Sequence, residues 1–385
     1  MISENVFKAL RKVFGAQNEL VPLHQPSFSN NDYAYIKKCL DTTFVSSAGK
    51  FVDEFESRLA SYTGSKHAIA VINGTSALQI ALKVAGIKEN DEVFVPSLSF
   101  VATANAVNYL GAVPFFVDVN FNDLGMDAEA LEDLLKSIAE PTLGEFRNKK
   151  TGRRLKGLVP MHTFGHSANM DYLNKIASDF KLELVEDAAE ALGSFYKGRH
   201  AGTIGKLGII SFNGNKIITT GGGGVILTDE PALAKKARHL TSTAKIQHRF
   251  EYIHDEVGYN YRMPNLNAAL GCSQLEKLPD LLTSKRQLYA LYRSLFDDVK
   301  GVNIFKEPCG CKSNYWLQTI ILSEESLEER NNILKRTNDG GINTRPAWNL
   351  LHTLPPYRCN PRGHLTTSEK LLKSIINLPS SAGLT

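Results

Sequence analysis

The chain has 385 residues, 43% hydrophobic and 22% charged, enough apolar material for a sizeable core and a second lobe. That excludes a disordered chain, a collagen-like repeat and a small disulfide-stapled scaffold. Lys and Arg number 44 against 40 Asp and Glu, a net charge of +4. The longest basic run is Lys149-Lys150 with Arg153-Arg154 nearby, which speaks against nucleic acid as the main partner.

The N-terminus has no apolar h-region, and the most hydrophobic stretch, residues 100–119, is broken by Asn105, Asn108, Gly111 and Pro114. This predicts a cytoplasmic protein with no signal peptide and no membrane span. Cys39, Cys272, Cys309, Cys311 and Cys359 form neither a CxxC pair nor a zinc knuckle, so they are expected as reduced thiols.

After a polar opening, Phe51, Val52, Phe55 and Leu59 recur at helical spacing and predict an amphipathic helix over 51–61. The apolar run 67–72 predicts a buried strand ending at Asn73-Gly74-Thr75; residues 76–85 then predict a helix stopped by Gly86. Residues 91–96, 102–110 and 113–118 read as strand, helix and strand. Past a polar insertion at 144–156 the alternation resumes, with a strand at 157–161, a helix at 171–180 and a strand at 182–187. Such alternation predicts an α/β fold, a mostly parallel sheet flanked by helices. Residues 208–212 and 225–228 predict a hairpin around the glycines 221–224. Two helices at 264–278 and 284–295, a strand at 316–322 and a helix at 327–338 complete the reading. Longer connections there predict a smaller α+β C-terminal domain. The expected division is an N-terminal segment 1–45, a large domain 46–263 and a small domain 264–385.

Four features carry chemistry. Gly74, Thr75 and Ser76 lie between a buried strand and a helix, where backbone N–H groups and the helix dipole can hold a phosphate; a plain helix cap is the other reading. Asp187 ends a strand at the carboxyl edge of the sheet, where it could keep a ring nitrogen protonated or cap the next helix. Side chains alternate along a strand, so its neighbour Glu186 is expected to face away from the site. Lys216 sits in a loop of small and amide residues between buried strands. A lysine that bonds a carbonyl needs such enclosure, because at its reference pKa of ~10.4 it is protonated and unreactive in water.

The four glycines precede a strand and lack a following Lys-Ser or Lys-Thr, so they are not a nucleotide P-loop. They are expected to allow a close backbone approach beside Lys216. His162 and His166 have a metal-ligand spacing, but Gly165 argues against a helix there, and no metal site is expected. Phosphate turn, ring-nitrogen acid and lysine together describe a site for pyridoxal 5'-phosphate.

At these residues the chain resembles the sugar aminotransferases of the DegT/DnrJ/EryC1/StrS family, fold-type I enzymes that use pyridoxal phosphate. The resemblance runs through residues 44–49 (FVSSAG), 73–78 (NGTSAL), 96–105 (PSLSFVATAN), 185–189 (VEDAA), 211–216 (SFNGNK) and 258–264 (GYNYRMP). It implies that Lys216 binds the cofactor's aldehyde and that Asp187 pairs with its ring nitrogen. Gly74, Thr75, Ser76 and Ser211 would hold the phosphate, and Phe100 would stack on the ring. Glu190 would lie near the phenolic oxygen. Asn260 would reach the phosphate from a neighbouring subunit, making a homodimer part of the site.

A closer likeness, in residues 23–28 (LHQPSF), 161–166 (MHTFGH) and 217–224 (IITTGGGG), is to the subgroup typified by LegC. It implies amino transfer from glutamate to C4 of UDP-4-keto-6-deoxy-GlcNAc in surface-glycan biosynthesis of the legionaminic acid or bacillosamine type, with His162, Arg345 and His352 as sugar contacts. The alternatives are a dTDP- or GDP-linked keto-sugar of the perosamine type, or a regulator that binds pyridoxal phosphate without turnover.

Overall fold

A computed structural model describes residues 1–15 and 19–384. Seven strands form the main path of its large sheet, in the order His67–Val71, Gly224–Thr228, Leu207–Ser211, Glu183–Asp187, Arg154–Leu158, Glu92–Pro96 and Val113–Val117. The last five run parallel, while Gly224–Thr228 is antiparallel to both its neighbours. The buried apolar runs read as strands for a physical reason: helices cover both faces, so neither face can be polar. Val93, Phe94, Val185, Ile209 and Ile226 are all essentially inaccessible.

The polar insertion is not a plain loop. Ala139–Thr142 and Glu145–Asn148 pair as a hairpin and extend the sheet beside Arg154–Leu158. The strand expected at 157–161 therefore starts and ends three residues earlier, and Pro160, which has no N–H to donate, falls just past its end.

Two helices expected at 264–278 and 284–295 are one, Asn265–Phe296, with Pro279 inside it. Proline removes a single helical hydrogen bond. Burial on both sides of it, at Leu278, Lys285 and Leu288, outweighs that loss. Beyond this helix, Val302–Ile304, Gln318–Leu322, Ile375–Leu378 and Arg345–Pro346 form a four-stranded antiparallel sheet. The helix Ile2–Phe14 buries Val6, Leu10 and Phe14 in one cluster with Tyr292, Phe296, Ile320 and Leu378. The N-terminal helix thus packs with the late part of the chain. No helix among the described residues is long and apolar enough to cross a membrane.

Candidate active site

The parallel strands end on one edge, and the turns that leave them carry the polar residues. Gly74, Thr75, Phe100, Asp187, Glu190, Ser211 and Lys216 line a single cavity of about 330 Å³ there, at the place where open α/β sheets bind ligands.

The phosphate turn is built by Asn73, whose side chain accepts the Ser76 N–H at 2.7 Å and caps the helix Gly74–Val84. The cap is neither Thr75 nor Ser76. Ser76 itself is buried and does not line the cavity, whereas Gly74 and Thr75, in the first turn where N–H groups lack helical partners, do. Glycine is required at 74 because a Cβ would stand 2.9 Å from that of Ser211. It is required at 224 because a Cβ would stand 2.6 Å from the Asn73 carbonyl. The last of the four glycines thus lets its strand pass directly under the turn.

Asp187 is 4% exposed. It accepts the Thr103 hydroxyl at 2.7 Å and the Ala189 N–H at 3.2 Å. Burial raises its pKa despite those bonds. The Lys216 amine lies 3.3 Å from the Glu190 carboxylate and 4.0 Å from the centre of the Trp316 ring, under its face. Trp316 is fixed in turn by its indole N–H, which donates to the Asn215 carbonyl at 2.7 Å. Glu190 also accepts the Phe164 N–H at 2.9 Å, which Phe164 presents from a left-handed conformation at φ 55°.

Burial pushes the Glu190 carboxyl up to about 7, although the Lys216 charge opposes it. A carboxyl whose pKa is raised on folding stabilises the fold fully below its unfolded value of 4.5 and loses that contribution as pH rises towards 7. In the cofactor-free protein, Glu190→Gln should therefore gain stability relative to wild type between pH 4.5 and 7, by up to about 3 kcal/mol at ~1.4 kcal/mol per pH unit. Thermal melts at pH 4.5 and 8 check this: parallel shifts at both values would contradict it.

Three expected sugar contacts do not meet the cavity. His162 is fully buried, with Nε2 2.9 Å from Glu186 and Nδ1 accepting the Ala168 N–H at 3.2 Å; both ring nitrogens are used. His352 is buried with Nδ1 2.7 Å from the Ser97 hydroxyl. Arg345 is exposed on a short edge strand. Glu186 faces away from the cavity, as strand alternation predicts. Burial alone would raise its carboxyl, but the His162 bond and charge and the N–H groups of Gly205 and Gly202 hold it below the usual range. Asn260 is exposed and lies outside the cavity lining.

Asn73, Trp316 and Trp348 line the cavity without having been singled out from sequence. The strand reading absorbed Trp316. That the chain holds only two tryptophans, both at this site, was the available signal.

The donor set fits pyridoxal phosphate. A buried carboxylate, a helix N-terminus with a serine beside it, an amine and an aromatic wall at Phe100 surround one cavity of matching polarity. The family described as the DegT/DnrJ/EryC1/StrS aminotransferase family matches residues 26–385. The chain is 37% identical to the GDP-perosamine synthase of Caulobacter vibrioides, over 94% of this chain and 93% of that one. It is 35% identical to the enzyme of the same name from Escherichia coli O157:H7, over 94% of each. The solved pyridoxal phosphate form of the putative sugar aminotransferase Spr1654 from Streptococcus pneumoniae superposes with a TM-score of 0.83 at 25% identity, covering 94% of this chain and 93% of that one. The two curated relatives are named for a GDP-linked sugar, whereas the subgroup likeness had implied a UDP-linked one. The chain belongs to the DegT/DnrJ/EryC1/StrS aminotransferase family and is a pyridoxal phosphate-dependent sugar-nucleotide aminotransferase.

Proposed function

We propose that the chain transfers an amino group from glutamate to the keto carbon of a GDP-linked keto-sugar of the perosamine type, working as a homodimer. The observation that carries the nucleotide is the 35–37% identity to two GDP-perosamine synthases over 94% of the chain. It favours a GDP-linked sugar over UDP-4-keto-6-deoxy-GlcNAc.

Bound pyridoxal phosphate supplies an electron sink for a carbanion at the donor's α-carbon. Lys216 takes the α-proton as general base and returns a proton as general acid. Glu190, 3.3 Å from that amine, balances its charge and can relay a proton. Asp187 keeps a proton on the ring nitrogen, held in line by Thr103. The first-turn N–H groups of Gly74 and Thr75 and the Ser211 hydroxyl hold the phosphate, and Phe100 packs on the ring. Asn260, exposed on the single chain, would reach the phosphate across the dimer.

The test offers the purified enzyme glutamate with GDP-, UDP- and dTDP-linked 4-keto-6-deoxy sugars and follows 2-oxoglutarate. The GDP-linked sugar should give the highest kcat/KM. Preference for the UDP-linked N-acetyl sugar would overturn the nucleotide assignment and leave amino transfer intact.

A further inference from the structure

Lys285 lies on the long helix Asn265–Phe296, fully buried, and among the described residues no carboxylate pairs with it. Its three donors meet three backbone carbonyls instead: Tyr315 at 3.3 Å, Trp316 at 3.0 Å and Ser380 at 2.5 Å. Burial alone lowers its pKa to about 7. A methionine would fill the same space, so what the lysine adds is donors for carbonyls in an irregular stretch of chain.

That stretch adjoins the site. Tyr315 is held in the left-handed region at φ 50°, a conformation that persists only where surrounding contacts over-determine it. The same helix supplies further holds, since Arg286 donates to the Ser313 carbonyl at 2.9 Å and the Tyr289 ring stacks on Tyr315 with centroids 4.2 Å apart. The next residue is Trp316, whose ring face covers the Lys216 amine at 4.0 Å. An aromatic face attracts a cation, so the place of the indole decides where the ammonium rests.

We propose that Lys285 is a positioning residue, fixing the backbone of Tyr315 and Trp316 so that the indole roofs the Lys216 amine. The inference rests on reading Lys216 as the reacting amine, and its test separates the two ideas. Trp316 and Trp348 are the only tryptophans, so in a Trp348→Phe background the emission of the cofactor-free full chain reports Trp316 alone.

Adding Lys285→Met should shift that emission to longer wavelength and increase its quenching by acrylamide. In the otherwise unaltered enzyme, Lys285→Met should lower kcat roughly 10- to 100-fold, the scale of an ångström-sized misplacement, with KM for the keto-sugar little changed. Lys285→Gln, which keeps amide donors, should restore part of both. Unchanged emission, with or without a lower Tm, would overturn the proposal, as would shifted emission with unchanged kcat. Failure of both variants to fold would assign Lys285 to the fold itself and equally overturn it. Should wild type turn over none of the sugars offered, the functional reading fails while the emission still judges the position of Trp316.

Discussion

Lys216→Ala should lower turnover by at least about 10³-fold, because in the proposed mechanism one side chain both binds the cofactor's aldehyde and carries the α-proton, and a positioned base alone contributes ~10²–10⁴. Its visible absorbance with pyridoxal phosphate should vanish along with the bleaching that glutamate causes in wild type. The fold should persist. Lys216 is 13% exposed and bonded to Glu190 at 3.3 Å, and its loss leaves a carboxyl already poised near 7 to take up a proton instead of standing as a buried charge. Colour, kcat and Tm measured on one preparation check all three statements. Full turnover in the variant would remove Lys216 from the chemistry.

Asp187→Asn should cost turnover ~10²–10⁴-fold while leaving the protein folded. An amide is nearly the same size and can still accept from the Ala189 N–H, but it cannot carry the negative charge that keeps a ring nitrogen protonated. The stability consequence has a sign. Burial raises the Asp187 pKa above 3.8, so its contribution to stability is complete below that value and fades as pH rises through the folded pKa. The cofactor-free asparagine variant should therefore melt at or above the wild-type temperature at pH 8. Lower turnover with a higher or equal melting temperature is the expected pair. A large drop in melting temperature would mark Asp187 as a structural cap.

The same residues show how far the sequence could be read. Parallel strands buried on both faces appear as unbroken apolar runs, so the central strands and the order of the sheet's turns were visible. With them came the places of Gly74, Asp187, Ser211 and Lys216 at one edge. Elements that owe their form to distant partners were not visible. The hairpin Ala139–Asn148 is mostly polar, and it joins the sheet by pairing Phe146 and Arg147 with Leu155 and Arg154. Pro279 reads locally as a helix stop and is overruled by burial on both sides. The helix Ile2–Phe14 did leave a trace, since Val6, Leu10 and Phe14 recur every four residues, but its partners, Tyr292 to Leu378, lie far along the chain.

Next to the site, strand alternation correctly turned Glu186 away from the cavity. What it could not show was that this carboxylate bonds His162 from the neighbouring strand's turn, outside the cavity lining. Trp316 came from far along the chain, placed by contacts that span sheet and helix.

Lys216 is proposed as the amine that meets the cofactor, and Lys285, whose burial brings its pKa to about 7, is the other lysine that could be reactive at neutral pH. Borohydride reduction of the coloured holoenzyme, followed by proteolysis and mass spectrometry of the peptides, distinguishes them directly. One pyridoxyl phosphate mass is expected on the peptide that contains Lys216 and none elsewhere. Label on the Lys285 peptide, or on no lysine at all, would contradict it.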